Sequence, residues 1–179
     1  MIVEADHRLF RWIYAGEGAP GPLLRLMIAL TLLGRGYSIV GIVPFVAHPV
    51  TRRPALYLAA VLVLLAGLEL GIKLTFRRAR PCDVLSGVRP LYGNPTGYSF
   101  PSGHATGSFA VACFVTGLAA IARGSSACPI VALACVSQLL ALGISFSRVY
   151  LGAHYPSDVA AGALLGGSVA LLGCHLYAS

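Results

Sequence analysis

The sequence has little charge. Only 11% of its 179 residues are Asp, Glu, Lys or Arg, whereas 57% are hydrophobic, and the mean hydropathy is +0.80. A soluble globular domain carries about 25% charged residues, so the composition excludes that class. The length allows one domain or a small bundle. We therefore expect an all-α, multi-pass transmembrane helix bundle that forms a single membrane-embedded domain over residues 1–179.

Paired cysteines are also missing, and no leader sequence is expected. The five cysteines form no C-x-x-C pair and lie mostly inside apolar runs. This pattern is typical of small buried side chains and not of a disulfide framework. The first residues, MIVEADHRLFRW, mix both charge signs and lack a small-residue cleavage site, so no signal peptide is expected. Lysine is nearly absent as well, because Lys73 is the only one among 13 basic residues.

The apolar residues that are present group into segments of spanning length. Residues 1–22 mix charges with apolar side chains and then contain GEGAPGP, which predicts an interfacial amphipathic helix followed by a turn. Residues 23–179 form the predicted bundle, with about five segments near the 20 residues that a spanning helix needs. These segments are 23–47, 55–76, 102–122, 129–147 and 156–177. Glycines four residues apart (Gly67/Gly71, Gly103/Gly107 and Gly162/Gly166) favour close helix packing.

Alternation of the segments brings the polar stretches together. The end of the second segment, the start of the third, and the junction of the fourth and fifth all fall on one side of the membrane. KLTFRRARP (73–81), PSGH (101–104) and SRVYLGAHYPSD (147–158) occupy these places. The short loops on the opposite side carry Arg52, Arg53 and Arg123, which the positive-inside rule places in the cytoplasm. The convergent face is therefore expected to be the outer one.

The first polar stretch is a cationic cluster. Lys73 and Arg80 are seven residues apart, so within one helix they would share a face, where Arg77 could join them. Pro81 is expected to end that helix. Taken alone, the cluster is equally typical of a juxtamembrane segment that touches lipid headgroups. Glu69 precedes Lys73 by four residues, which favours an ion pair, although Glu69 could instead face a wet cleft. The intramembrane Arg35 is not explained.

The second and third stretches add an anion site and a histidine with a carboxylate. Ser102 and Gly103 open a predicted helix whose free backbone N–H groups can bind an anion, and His104 lies just inside it. A histidine at a helix start is more often structural. Asp158, in the first turn after His154, can reach back to the imidazole and leave the other ring nitrogen free as a nucleophile. Two histidines and an aspartate could also bind zinc. The surrounding Lys73, Arg80 and Arg148 oppose a cation, however, so we expect no metal.

These residues match three signatures of a known family. K-x6-R-P (Lys73 to Pro81), P-S-G-H (Pro101 to His104) and S-R-x5-H-x3-D (Ser147 to Asp158) resemble the phosphatidic acid phosphatase type 2 superfamily, which also includes soluble vanadium haloperoxidases. The resemblance implies that Lys73, Arg80, Ser102, Gly103 and Arg148 bind phosphate. It further implies that His154 attacks phosphorus and that Asp158 orients His154. His104 would protonate the leaving oxygen and later activate water.

The resemblance implies a metal-independent phosphatase without a cofactor, acting on a membrane lipid phosphate or diphosphate. The small size and Arg-rich composition of this chain resemble those of bacterial members, which suggests that it is located in the bacterial cytoplasmic membrane. Undecaprenyl diphosphate ranks first among expected substrates, ahead of phosphatidylglycerol phosphate, phosphatidate and lipid A phosphate. The expected partners are lipid phosphates and membrane lipids, with no nucleic acid, and the oligomeric state is left open. The alternatives are an anionic-lipid binding or transport protein without catalysis and a metal-dependent hydrolase.

Overall fold

The computed structural model describes residues 2–34, 38–121 and 127–179, and within them it contains helices and no strands. The helices are α1 (Ile2–Ile13), α2 (Gly21–Leu33), α3 (Ser38–Ala47), α4 (Pro49–Phe76), α5 (Pro81–Val84), α6 (Gly103–Ile121), α7 (Ala127–Tyr150) and α8 (Pro156–Ala178). The predicted all-α class is confirmed. Arg35, which the sequence left unexplained, lies outside the described residues.

Four helices, α4, α6, α7 and α8, are long and apolar enough to cross a membrane in the part of the chain that the structure describes. The predicted first span, 23–47, is instead divided into α2 and α3. With 13 residues, α2 is about 20 Å long, shorter than the roughly 30 Å of a bilayer core. It ends where Gly34 caps it, and the Gly34 N–H donates to the Leu30 oxygen over 3.2 Å.

The N-terminal helix α1 is amphipathic, as predicted, and packs on α7 and α8. Phe10 is fully buried against Tyr155, and Asp6, one turn earlier, is buried too. Trp12 on the opposite side is 84% exposed. The buried side of α1 therefore rests on the polar end of the bundle. Its position at the membrane interface stays a prediction.

The close approach of α6 and α8 depends on two glycines. A Cβ at Gly166 would lie 2.0 Å from the Thr106 carbonyl oxygen, and one at Gly162 would lie 2.6 Å from that of Ser102. Any side chain there would push the helices apart. Open space surrounds Gly67, Gly71 and Gly107, so among the predicted glycine pairs only Gly162/Gly166 mediates backbone packing.

The end of α4 differs from the prediction. The helix stops at Phe76, because Arg77 adopts a left-handed conformation with φ of 46° and its N–H donates to the Lys73 oxygen. Pro81 does not end this helix; it begins α5. Lys73 and Arg80 therefore do not share a helical face. Arg77, which the spacing placed beside them, is exposed.

Candidate active site

Arg80 is the buried centre of the segment between α4 and α6. Its Nε donates to the Gly97 oxygen over 2.9 Å, and its NH2 donates to the oxygens of Thr96 and Tyr98 over 2.9 and 3.3 Å. Its NH1 donates to the Ala153 oxygen over 2.9 Å and lies 3.2 Å from Nε2 of His154. The guanidinium therefore orders the long polar loop and also touches the histidine of the third stretch.

His154 is held at both ring nitrogens. Nδ1 lies 2.8 Å from the carbonyl oxygen of Ser99, which can only accept a hydrogen bond, so Nδ1 carries the proton. Nε2 then has the lone pair and accepts from Arg80. The backbone N–H of His154 donates to the Arg148 oxygen over 3.2 Å. The imidazole is thus fixed in the tautomer whose Nε2 can act as a nucleophile.

Burial keeps this imidazole neutral. His154 is 3% exposed, and its pKa is lowered from 6.5 to about 4, with burial as the largest cause. The charges of Arg80 and Arg148 contribute to this lowering of the pKa, whereas Asp158 opposes it. At neutral pH the Nε2 lone pair is therefore available without the loss of a proton.

Asp158 has no solvent exposure and lies in the first turn of α8. Its Oδ2 accepts from the Ser99 hydroxyl and from the Tyr155 N–H, the latter over 2.8 Å, and its Oδ1 accepts from Arg78 over 2.6 Å. Nδ1 of His154 is 3.6 Å from Oδ2, farther than the Ser99 oxygen. Asp158 is therefore linked to the imidazole mainly through Ser99 and α8, and its direct contact with His154 is longer than the sequence suggested.

Arg148, in the last turn of α7, is buried and reaches α2. Its NH1 donates to the Thr31 hydroxyl over 3.1 Å, and this hydroxyl lies 2.8 Å from that of Ser147. Its carbonyl oxygen accepts from the N–H groups of Ala153 and His154. The motif residue Ser147 thus positions Thr31 and Arg148, and Arg148 connects the α7 end to the His154 loop.

The start of α6 meets α8 and α4. The Ser102 N–H donates to the Asp158 carbonyl oxygen over 3.0 Å. The Ser102 hydroxyl is fully buried and has no hydrogen-bond partner among the described residues. The Glu69 carboxylate lies against Gly103, because a Cβ there would be 2.5 Å from its Oε1. The same oxygen accepts from Lys73 over 2.5 Å, so the expected Glu69–Lys73 pair is present.

His104 lies one residue inside α6 and is half-buried. A Cβ at Gly34, which caps α2, would be 3.2 Å from Cδ2 of the His104 ring. The three stretches therefore meet at one end of the bundle. Arg80 contacts the His154 loop, α6 contacts Asp158, and Lys73 reaches the α6 start through Glu69.

Sequence reasoning missed four residues of this end of the bundle: Asp6, Thr31, Arg78 and Ser99. Ser99 lies two residues before Pro101, and Arg78 lies inside the first motif, at one of its variable positions. Their proximity was the available signal. Asp6 and Thr31 lie more than 100 residues from Ser157 and Ser147, their partners in α8 and α7, so no local pattern identifies them.

Comparison with known proteins agrees with this geometry. A model of the PAP2 superfamily matches residues 54–178, which include all three stretches. Decaprenylphosphoryl-5-phosphoribose phosphatase of Mycobacterium tuberculosis is 33% identical over 137 residues, covering 75% of this chain and 67% of that protein. Undecaprenyl-diphosphatase of Sulfolobus acidocaldarius is 30% identical over 152 residues, covering 84% of this chain and 69% of that protein.

Two solved structures share the architecture. The transmembrane PAP2-type phosphatidylglycerolphosphate phosphatase of Bacillus subtilis superimposes with a TM-score of 0.81 at 23% identity, covering 98% of this chain and 85% of that one. Aquifex aeolicus LpxE superimposes with a TM-score of 0.74 at 26% identity, covering 94% and 93%. The chain therefore belongs to the PAP2 superfamily, and it is a multi-pass membrane lipid phosphatase.

Proposed function

We propose that the protein dephosphorylates a membrane lipid phosphate or diphosphate through a phosphohistidine formed at Nε2 of His154. The observation that carries the proposal is the state of this imidazole. Its Nδ1 proton is committed to the Ser99 oxygen, its pKa is lowered to about 4, and its Nε2 lone pair lies beside Arg80. A neutral nucleophile next to a fixed cation suits attack on an anionic phosphoryl group.

The proposed reaction has two steps. In the first, the Nε2 lone pair of His154 forms a bond to phosphorus while the bond from phosphorus to the lipid oxygen breaks, and His104 donates a proton to that oxygen. In the second, His104 accepts a proton from water as the water oxygen attacks phosphorus. The N–P bond breaks, its electrons return to Nε2, and inorganic phosphate leaves.

The phosphate site is proposed to lie between the start of α6 and the two buried arginines. The buried Ser102 hydroxyl, without a partner among the described residues, can donate to a phosphate oxygen. Gly103 lets an anion approach the helix N-terminus, where the helix dipole favours negative charge. Arg80, Arg148 and Lys73 supply positive charge. The NH1 group of Arg80, directed at Nε2, would then turn to the transferring phosphoryl group.

An apolar cavity supports a lipid substrate. It has a volume of about 630 Å³, lies between α2, α3, α4, α6 and α7, and is lined mainly by apolar side chains, among them Leu33, Phe45, Leu58, Val111 and Ile144. Gly34 also lines it and adjoins the His104 ring. A hydrocarbon tail in this cavity would place its phosphate near His104, which favours a lipid over a soluble phosphate ester.

Polyprenyl diphosphates such as undecaprenyl diphosphate are the first substrate class to test. The names of two relatives refer to decaprenyl or undecaprenyl compounds. Phosphatidylglycerol phosphate, phosphatidate and lipid A phosphate follow. Phosphate release from these lipids by the purified protein is the direct test, with His154→Ala as the blank. His175→Ala, an exposed histidine at the other end of α8, is the matched control. Absence of release from every lipid would contradict the proposal.

The reaction is proposed to need no divalent metal. Arg80, Arg148 and Lys73 neutralise the phosphate, and each of them would oppose a bound cation. We expect full activity in EDTA and inhibition by vanadate, measured as phosphate release. Activity that EDTA abolishes and Mg²⁺ or Zn²⁺ restores would refute this point and favour a metal-dependent hydrolase.

The site is proposed to face the outer side of a bacterial cytoplasmic membrane. The support is the position of Arg52 and Arg53 at the start of α4, the end opposite the site. A single cysteine at Gly93, in a background without the native cysteines, tests it. Labelling of intact cells by an impermeant thiol reagent supports the outer location, and labelling only after the membrane is opened reverses it.

A further inference from the structure

Arg78 is a site residue that the fixed positions of the three motifs do not include. Its NH1 donates to Oδ1 of Asp158 and to the Ser157 hydroxyl, each over 2.6 Å. Its NH2 donates to Oδ2 of Asp6 over 2.5 Å, and its guanidinium lies 4.1 Å from the centre of the Tyr155 ring. One cation therefore connects α1 and α8 beside the His154 loop.

Asp6 completes this connection from the N-terminal helix. Its Oδ1 accepts from the backbone N–H of Ser157 over 3.0 Å, and its Oδ2 accepts from the Ser157 hydroxyl over 2.5 Å. A carboxylate on an N–H in the first turn of a helix acts as a cap and is favoured by the helix dipole. Asp6 therefore caps α8 from another helix. It lies outside residues 54–178, the part that matches the family.

We propose that Asp6 and Arg78 are positioning residues of the phosphatase, which hold Asp158 and the start of α8 and thereby place the imidazole of His154 for attack on phosphorus. Neither residue needs to contact the substrate. The inference rests on the proposed function, because it takes His154 as the nucleophile. It gives α1 a role in positioning His154, because α1 carries Asp6, the first residue in the series of contacts Asp6–Arg78–Asp158–His154.

Arg78 and Asp6 carry opposite charges, so we expect their removal to affect His154 differently through Asp158. Without Arg78, the buried Asp158 would keep only neutral donors, the Ser99 hydroxyl and the Tyr155 N–H. Its negative charge would then act more strongly on His154 and favour the imidazolium, which cannot attack. Without the charge of Asp6, Arg78 would still neutralise Asp158. Besides Asp158, the charges of Arg80 and Arg148 act on His154, and removing Arg78 or Asp6 leaves both arginines in place.

The test compares Arg78→Gln and Asp6→Asn in the full-length purified protein. Single-turnover phosphorylation by a lipid substrate measures the attack step, and the vanadate inhibition constant measures the anion site. Arg77→Gln, at the exposed neighbouring arginine, is the control for Arg78. Arg8→Gln, on the exposed side of α1, is the control for Asp6. Cooperative thermal unfolding in detergent verifies that each variant is folded.

We expect Arg78→Gln to slow phosphorylation about 10- to 100-fold, as for a lost charge-assisted hydrogen bond, with an unchanged vanadate constant. In the pH profile of its phosphorylation rate, the acid limb, where protonation of His154 slows the reaction, should move to higher pH. Asp6→Asn should slow phosphorylation less, without that upward movement, and both controls should match the wild type. Arg78→Lys, which keeps the charge, should return the acid limb toward its wild-type pH more fully than it returns the phosphorylation rate to the wild-type value.

A wild-type rate in folded Arg78→Gln would overturn the inference, and so would a parallel loss of vanadate affinity, which would make Arg78 a phosphate ligand. If Arg78→Gln does not fold, the isosteric Asp6→Asn decides: a slower rate with an unchanged vanadate constant supports the inference, and a wild-type rate overturns it. A wild-type protein that forms no phosphohistidine would instead refute the proposed function.

Discussion

The first turn of α8 is bound by the protein's own carboxylates, whereas the buried Ser102 hydroxyl at the start of α6 has no hydrogen-bond partner among the described residues. Asp6 accepts from the Ser157 N–H, and Asp158 accepts from that of Tyr155. Both helix starts are suited to bind anions. At α8 the protein supplies the anions and fixes the proposed nucleophile. At α6 the Glu69 carboxylate lies against Gly103, but the Ser102 hydroxyl is left without a partner among the described residues and is proposed to bind phosphate.

The largest expected effect separates the histidines of the two helix starts. His154→Ala should abolish turnover and any phosphoenzyme, because it removes the atom that is proposed to bond to phosphorus. His104→Ala should lose the proton transfer, which typically accounts for about 100- to 10,000-fold in rate. Acid-labile phosphoenzyme, trapped with labelled substrate, distinguishes the two variants.

The leaving group sharpens this distinction. A nitrophenolate leaves without protonation, so phosphorylation of His104→Ala by p-nitrophenyl phosphate should be spared relative to a lipid. Hydrolysis of the phosphohistidine still needs a base, so this variant should accumulate phosphoenzyme. Phosphoenzyme in His154→Ala but not in His104→Ala would show that the two roles are inverted.

Arg148→Lys should have the next largest effect. A lysine keeps the charge but loses the planar guanidinium, so it cannot bind Thr31 and a phosphate oxygen in the same geometry. We expect kcat/KM for lipid phosphate to fall about 10- to 100-fold, as for a lost charge-assisted bond. Arg53→Lys, at the opposite end of the bundle, is the control. A wild-type kcat/KM in Arg148→Lys would exclude the phosphate-binding role.

Substitution of two buried serines tests the comparison between the starts of α8 and α6 directly. Ser99→Ala removes a donor to the buried Asp158 and should lower the free energy of unfolding by about 1.5–3 kcal/mol. Ser102→Ala removes a hydroxyl without a partner among the described residues, so stability should hold while vanadate binds roughly 3- to 10-fold more weakly. Thermal unfolding and vanadate inhibition measure the two effects. Equal loss of stability in both variants would refute the contrast between the helix starts.

The last expected effect concerns pH. In the unfolded chain His154 takes up a proton near pH 6.5, but in the folded protein it does so only at about 4. Between these values the unfolded state binds more protons, so stability should rise with pH up to about 6.5, and above that His154 adds no further change. On going from pH 7 to 4.5, the wild type should lose roughly 2–3 kcal/mol more than His154→Ala. If the free energy of unfolding changes equally with pH in the wild type and in His154→Ala, the imidazole is not held neutral.

The membrane class and the meeting of the motifs followed from the sequence because they depend on simple rules. Apolar segments of spanning length predict helices, and alternating spans bring 73–81, 101–104 and 147–158 to one side. The Glu69–Lys73 pair also followed from helical spacing, since both residues lie within α4, which continues to Phe76. The prediction was wrong where it extended the helix past its end. It treated Arg77 as a neighbour of Arg80, and a left-handed backbone at Arg77 ends α4 first.

By itself, then, the sequence determined a helical membrane phosphatase whose motif residues meet at one end of the bundle, because hydrophobic runs and helix order fix which ends lie together. Only the tertiary structure decided how those residues are held. The Ser99 carbonyl sets the tautomer of His154, Arg78 and not Arg77 turns to Asp158, and Asp6 reaches α8 from 151 residues away along the chain. These contacts depend on loop conformation and on the packing of α1 against α8, and no local pattern encodes either one.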